Sequence, residues 1–578
     1  MARTGRSCIG PPGRGSYDTV TTSPQDVTTA ALSRVPLFHR VDEAALSTLM
    51  REAVPRHLDA GEWLFHEGDA AGRLFVVLSG RLRVVVTRDG APRAVRELGP
   101  GAALGELALL TGSVRSAGVQ AVRDSQLLEI ASPSFDRLLE SDPAFGQAIA
   151  IELARQLQAS GGLDEPRGQA RVFAVVGAPG AAGIARFGDA LASALGNNGT
   201  VATLVGEEHP DDWTAALMRA EGDSRHVLLV GDEREPASGW NRFVRRHGDR
   251  LLLVVDAGTA VAPEEGVTDL VLLAPMPAGR TAQFLDAVVP AAHHVVEEAA
   301  YERDVERVAR RVAGRSLGLV LSGGGARCLA HIGVIRAFAE ADLVVDRFGG
   351  CSMGAFVAGA AALGLDADQI AATCRAELVE RSPFSDWTLP RVALTRTRRP
   401  ERMLRRVFGE HQVEELAQPV YTVSADLVSS QAVIHRRGPL FEAVGASMSI
   451  PGLVPPVSRD GQLLVDGGVL NNLPVDPMYD LAEGPIVAVD VARRHERTGA
   501  ESPRVPSIME TLTRATILGS GERSERNRKL ATLVISPEAQ DIGLREFKAL
   551  DRAIEAGYEA ASAALSEGGA DKLRDVLS

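Results

Sequence analysis

The stretch FGGCSMGAFVAG, Phe348 to Gly359, sets a serine between two glycines, Gly350 and Gly354. An apolar run, VVDRF, leads into it, and a run of small residues follows. That order reads as strand, sharp corner, helix, because glycines at such a bend avoid the clash a Cβ would make. Two readings fit the corner. It is a tight turn inside a buried core, or it lifts Ser352 as a nucleophile at a helix N-terminus, where the dipole favours developing negative charge.

The chain has 578 residues, too many for one core. At roughly 150 residues per domain it should hold three or four units. Its net charge of -13 argues against nucleic acid as a partner, since phosphate binding needs clustered positive charge. No apolar run approaches the ~20 residues of a membrane-spanning helix. The N-terminal stretch lacks the apolar segment of a secretion signal and reads as a disordered tail over 1–30. Cys8, Cys328, Cys351 and Cys374 show neither metal nor disulfide spacing. The expectation is a reduced, cytoplasmic protein with peripheral membrane contact. Its oligomeric state is not legible.

Three patterned regions follow the tail. Over 31–160, short alternating strands and frequent glycines predict a β-roll with flanking helices. Within it, RLFVVLSGRLRVVVTRDG (Arg73–Gly90) reads as a hairpin around a Ser79-Gly80 turn that closes at Asp89-Gly90. QASGGLDEPRGQ (Gln158–Gln169) reads as a linker. Over 170–300, continuous apolar strands alternate with helices, which predicts an α/β domain with a parallel sheet. AAYERDVERVARRVAG reads as a charged connecting helix. A second α/β domain occupies 316–578. The fold class is therefore multidomain: β-roll, middle α/β scaffold, C-terminal α/β domain.

In the first region, LGELALLTGSVRSAG (Leu104–Gly118) offers a short helix start at Gly105 and Glu106, with Arg115 nine residues after the glutamate. Free N–H groups and a guanidinium would grip a phosphate, and Glu106 a ribose hydroxyl. Ser116 adds a hydroxyl that would contact phosphate or a guanine amino group. The plainer alternative is a Glu106–Arg115 salt bridge in a barrel that binds nothing. The stretch resembles the phosphate-binding cassette of cyclic-nucleotide-binding domains, with both the glutamate and the arginine in place. The resemblance implies cAMP or cGMP as a regulatory ligand at Gly105, Glu106, Arg115 and Ser116, with cAMP favoured. No helix-turn-helix pattern follows.

The middle region's VVGAPGAAGIA (Val175–Ala185) is a glycine-bearing strand-to-helix turn. A P-loop would need Lys then Ser or Thr where Ile184 and Ala185 stand, so this domain reads as a scaffold.

Two further stretches bear on Ser352. SGGGARC (Ser322–Cys328) follows an apolar strand, and three consecutive glycines entering a helix expose backbone N–H groups that can hold an oxyanion. In LLVDGGVLNNLP (Leu463–Pro474), Asp466 ends a strand before Gly467 and Gly468. These blocks, with SMSIPGLVPPV (Ser447–Val457), resemble the patatin-like phospholipase family. The resemblance implies a Ser-Asp dyad without histidine, metal or other catalytic cofactor. Ser352 is then the nucleophile in an elbow flanked by Gly350 and Gly354, and Asp466 its base. Gly323, Gly324, Gly325 and Ala326 line the oxyanion hole, with Arg327, Gly467 and Gly468 behind them. The family's glycine motif carries a glycine where this chain has Cys328. If that position needs a positive φ, Cys328 is strained.

A Ser…Asp…His triad completed by His495 is the other scheme; His331 reads as packing. RVALTRTRRPERMLRRVFG (Arg391–Gly409) is a local basic cluster, facing anionic headgroups or paired with acids. Sensor and hydrolase together resemble the neuropathy-target-esterase branch of the patatin-like phospholipases. They imply a serine esterase acting on a lipid ester, phospholipid or lysophospholipid. The alternative is a cyclic-nucleotide-responsive binder with an inactive hydrolase domain.

Overall fold

The computed structural model describes residues 49, 51–88, 91–141, 145–147, 149, 171–197, 199–206, 213–264, 266–385, 392–492, 511 and 518–577. The expected tail and the Gln158–Gln169 linker lie outside these, as do His495, Arg391 and Cys8. The chain divides into two compact units, Met1–Gln169 and Ala170–Ser578.

The first unit is an antiparallel sheet. Its strands are β1 (Val54–Leu58), β2 (Trp63–Phe65), β3 (Arg73–Arg88), β4 (Ala91–Leu98), β5 (Ala103–Leu104) and β6 (Gly118–Ala131). They run in the order β1-β6-β3-β4, with β2 on β6 and β5 on β3. Side chains alternate across β3. Leu74 and Val76 pack with Phe135 of the Ser132–Ser141 helix, while Phe75 and Val77 pack with Leu104 and Leu127. Ser79-Gly80 does not reverse the chain. β3 runs through it, shifting register against β6 on either side, and Gly80 takes φ +101°. A bulge bends one long strand where the sequence suggested a turn. β3 and β4 do pair antiparallel; Asp89 and Gly90 fall outside the described residues.

The second unit holds two sheets. Strands β7 (Arg171–Gly177), β8 (Val201–Val205), β9 (His226–Val230), β10 (Arg250–Val255), β11 (Asp269–Ala274) and β12 (Ala292–Glu297) form a parallel sheet ordered β12-β11-β10-β7-β9-β8. Apolar side chains cover both faces: Val172 and Val176 on one, Phe173 and Val175 on the other. This is why its strands read as unbroken apolar runs. At the glycine-bearing turn, Ala182 N–H donates to Asp256 (2.9 Å) and Ile184 N–H to Glu233 (3.1 Å). Carboxylates of the chain itself sit where a P-loop would hold phosphate.

The last sheet comprises β13 (Leu317–Leu321), β14 (Val345–Cys351), β15 (Val420–Asp426), β16 (Ala432–His435), β17 (Val457–Arg459), β18 (Gln462–Asp466), β19 (Ile486–Val489) and β20 (Leu533–Ile535). Its order is β17-β18-β15-β14-β13-β19-β20, with β16 also on β15. β13, β14, β15, β19 and β20 are parallel; β16, β17 and β18 run antiparallel to their neighbours.

The connecting helix, Tyr301–Val312, is less solvated than its charge suggested: Asp304, Arg307 and Arg311 are buried. Arg311 grips Glu483 with two bonds, 2.9 and 2.8 Å, and donates to the His293 carbonyl and His294 Nδ1, each at 2.8 Å. Arg310 holds Asp346 at 2.7 Å. His294 in turn donates to Asp269 (2.8 Å), which also holds Arg250 (2.6 Å). Burial alone would raise the Asp269 pKa, but Arg250 and His294 hold it well below the usual carboxylate range. Its stabilising charge is present above ~pH 4 and is lost as pH falls below that. Removing one partner of such a buried set leaves uncompensated charge. Asp269→Ala should lower unfolding free energy by ~3–5 kcal/mol in urea titration at pH 7.

Candidate active site and nucleotide cassette

β14 ends at Cys351, and the Met353–Ala362 helix starts one residue later. Ser352 makes the corner with φ 55° and ψ -130°, a strained backbone costing about 1–3 kcal/mol. The bend is tight because the helix lies directly on the strand ends. A Cβ on Gly350 would meet the Gly354 carbonyl at 2.6 Å, and one on Gly354 the Leu321 and Ser322 carbonyls at 2.5 Å.

Sheet register brings Asp466 to the same place. Cys351 of β14 lies beside Val423 of β15, and the next residue, Ser424, lies opposite Asp466 of β18. Ser352 Oγ donates to Asp466 Oδ2 at 2.6 Å. Asp466 Oδ1 accepts from Gly468 N–H at 2.8 Å. Burial is the dominant influence on the carboxyl and raises its pKa to about 6, against the lowering bonds from Ser352, Gly468 and Cys351. Ser352 keeps 7% of its surface and Asp466 5%. A carboxylate so placed holds the hydroxyl in one orientation and is a stronger base than a free aspartate at ~3.9.

The glycine loop faces the corner: a Cβ on Gly323 would stand 3.0 Å from Ser352 Cβ. Two of the four expected amides are committed elsewhere. Gly323 N–H donates to the Asn472 carbonyl (3.1 Å) and Ala326 N–H to the Leu544 carbonyl (2.9 Å). Among the described residues, the amides of Gly324 and Gly325 have no such partner. Gly325 carries the positive φ of this loop, 59°. Cys328 does not: it lies inside the 3-10 turn Gly325–Leu329, wholly buried, its thiol donating to the Ser322 carbonyl at 3.3 Å. The strain expected there is absent. Arg327 faces away from chemistry, donating to the carbonyls of Ile542 and Gln540 (2.8 and 2.9 Å). It anchors the segment that accepts from Ala326.

Two residues unassigned in the sequence reading hold the site. Ser447 Oγ accepts from Ser352 N–H (2.9 Å) and donates to the Val423 carbonyl (2.6 Å). Asn472 Nδ2 donates to the Gly323 carbonyl (3.1 Å). Their blocks, SMSIPG and NNLP, were visible, but a helix-end serine and a loop asparagine carry no signal of what they will touch. His331 donates to the Ser322 carbonyl (2.9 Å), and burial lowers its pKa to about 4. Among the described residues no histidine bonds to Ser352 or Asp466.

The patatin-like phospholipase family model matches residues 319–479, and the cyclic nucleotide-binding domain model matches 55–142. An uncharacterised NTE family protein of Mycobacterium tuberculosis (strain ATCC 25618 / H37Rv) is 36% identical over 93% of this chain and 96% of its own length. The chain belongs to the NTE family. A lysophospholipase of Neosartorya fischeri is 26% identical over 92% of this NTE-family chain and 44% of that protein. The regulatory domain of Toxoplasma gondii PKA, solved with cAMP, is 34% identical over 20% of this chain and 43% of that chain, with a TM-score of 0.19.

In the cyclic nucleotide-binding domain, Gly105 (φ 92°) caps the Glu106–Thr111 helix, Glu106 and Arg115 are buried, and Ser116 is exposed. Arg115 folds inward. It donates to the carbonyls of Gly105 (3.3 Å) and Arg73 (2.8 Å), and its guanidinium lies 4.2 Å from the Phe65 ring centre. Burial lowers its pKa, opposed by Glu106 and Asp69.

Next to Ser449 is a cavity of about 330 Å³. Phe384, Met403, Leu404, Phe441, Met448 and Val454 supply apolar walls. It reaches Ser449, whose carbonyl accepts from Asp466 N–H at 2.9 Å. In the basic cluster, Arg405 pairs with Glu401 and Glu410, and Arg406 with Glu377; Arg396, Arg398 and Arg402 are exposed. Among the described residues no helix is long and apolar enough to cross a membrane.

Ser447→Ala should strand the buried Ser352 N–H and lower unfolding stability by ~1–3 kcal/mol in denaturant titration.

Proposed function

We propose that this NTE-family chain is a serine esterase that hydrolyses an acyl ester of a phospholipid or lysophospholipid. The carrying observation is the 2.6 Å bond from Ser352 to a buried Asp466 titrating at about 6. Ser352 Oγ attacks the ester carbonyl as its proton passes to Asp466. The resulting oxyanion meets the amides of Gly324 and Gly325. Collapse expels the lipid alcohol, which takes the proton from Asp466, and leaves an acyl-serine. Water, activated by the same carboxylate, then releases the fatty acid. The apolar cavity beside Ser449 receives the acyl chain.

The base works only as carboxylate. Because burial raises its pKa, the active form is populated above about 6 and is lost as pH falls through that value. The acid limb of kcat/KM for a short-chain nitrophenyl ester should bend near pH 6. Ser352→Ala should abolish turnover, and Asp466→Asn should lower kcat by ~10²–10⁴-fold. His495→Ala should leave it intact; loss of turnover there, with folding preserved, would instead establish a triad. A lipid panel run with lysophospholipid and diacyl phospholipid names the substrate.

The N-terminal domain carries a second reading that complements the first: cyclic nucleotide as regulator. Arg115 would exchange its two carbonyl partners for the cyclic phosphate, and Glu106 would accept from the ribose hydroxyl. A ligand of that kind changes turnover only by preferring one arrangement of the protein. Arg115→Ala should abolish cAMP and cGMP binding in calorimetry of the full chain; retained affinity would remove the cassette from the reading.

A further inference from the structure

The turn that joins β15 to β16 carries two apolar side chains out into solvent: Leu427 is 52% exposed and Val428 70%. The turn is tightly fastened. Asp426 Oδ1 accepts from the N–H groups of Val428 (3.1 Å) and Leu463 (2.9 Å). Its Oδ2 accepts from the N–H (3.1 Å) and the hydroxyl (2.7 Å) of Ser429. Asp426 N–H donates to the Gln431 carbonyl and Ser430 N–H to the Asp426 carbonyl, each at 2.9 Å. One carboxylate with four donors thus fixes a tip whose apolar side chains water disfavours. Turns ordinarily put polar or glycine residues there.

Leu463 extends the patch. It is exposed, and its carbonyl accepts from Leu427 N–H at 2.9 Å. It lies opposite Ser458 in the antiparallel pair β17–β18, so the two side chains share a face. Ser458 lines the cavity that reaches Ser449. Another wall of that cavity is the Arg398–Phe408 helix, which turns Pro400, Met403 and Leu404 inward. Arg398 and Arg402, one helical turn apart, are exposed, as is Arg396 just before them. Among the described residues none of these three pairs with a carboxylate. Residues Arg396 to Gly409 hold six arginines and one glutamate, in a chain of net charge -13. The segment before the helix is tied to the loop before β17: Leu394 and Thr395 N–H donate to the carbonyls of Gly452 and Leu453 (2.9 and 3.0 Å). The apolar tip and the free cations therefore flank one cavity.

We propose that this rim docks on an anionic lipid surface, with Leu427, Val428 and Leu463 entering the acyl boundary and Arg396, Arg398 and Arg402 meeting headgroup phosphates. Charge complementarity selects the occupant. Unpaired guanidiniums beside apolar side chains match headgroup charge above hydrocarbon. A second copy of the chain, seated face to face, brings the same arginines against one another. The choice of lipid rests on the ester-hydrolase reading, but vesicle binding is read without turnover. A chain that binds vesicles yet hydrolyses no ester supports the docking and ends only the hydrolase reading.

The experiment is co-sedimentation of the full chain, carrying Ser352→Ala so that the lipid stays intact, with two kinds of vesicle. One is phosphatidylcholine alone and the other phosphatidylcholine mixed with phosphatidylglycerol. Affinity for the mixed vesicles should be at least about tenfold the higher, and the excess should vanish in ~0.5 M salt. Arg398→Gln with Arg402→Gln should weaken binding to the mixed vesicles about tenfold and leave binding to phosphatidylcholine unchanged. Leu427→Ser with Val428→Ser, which alters no charge, should weaken binding to the mixed vesicles at least about tenfold. Both pairs lie on exposed surface, and an unchanged Tm shows that each variant is folded. No vesicle binding, equal affinity for the two compositions, or binding unchanged in either pair of substitutions overturns the proposal. So does a dimer in light scattering that the Leu427→Ser, Val428→Ser pair converts to monomer, which identifies a second copy as the occupant.

Discussion

The hydrogen bond between Ser352 and Asp466 is the constraint around which the catalytic half is organised. It joins two strands that are not neighbours, β14 and β18, across the end of β15. It forms only if the register on both sides of β15 is right and if Ser352 accepts a backbone that serine normally avoids. The close approach of the following helix, permitted by Gly350 and Gly354, enforces that backbone. Ser447 and Asn472 then tie the elbow and the glycine loop to the same strand ends. The polar atoms around the hydroxyl are thus held before any substrate arrives, which is what electrostatic preorganisation requires.

Burial does two opposed things in this protein. At Asp466 no cation opposes it, and the carboxyl is raised to about 6, which suits the base role proposed for it. At Asp269 and Glu483, arginines more than offset it, and both carboxyls are driven below their usual range. The difference lies in the neighbours, and it separates chemistry from cohesion. The Tyr301–Val312 helix carries the cohesive set, packing its apolar side into the middle domain and its arginines into the catalytic one. Such a seam favours particular partners over general adhesion, because an unmatched charge inside it is heavily penalised.

The N-terminal domain keeps the chemistry of its family in a self-satisfied form. Arg115 occupies itself with backbone carbonyls and an aromatic face. The nucleotide phosphate proposed for this site would have to displace contacts already made, so its affinity would depend on the difference between the two sets.

Much of this was legible in the residues themselves. The elbow, the triple-glycine loop and the Asp-Gly-Gly turn each announce their backbone through glycine placement, and the continuous apolar strands of both α/β domains announce a sheet covered on two faces. Local sterics and periodicity dictate such features, and they need no knowledge of distant partners. What the chain could not declare was pairing. Ser79-Gly80 looked like a turn because its residue types suit one, yet the long partner strand β6 carries β3 straight through. Cys328 looked strained by analogy, and the positive φ fell instead on Gly325. The connecting helix read only as charged, and its Arg311 found a carboxylate 172 residues away, Glu483. Gly323 and Ala326 resembled free donors until Asn472 and Leu544 took their amides. Hydrogen bonds and ion pairs between remote segments depend on which groups the folded chain brings within 3 Å, and only the tertiary structure decides that.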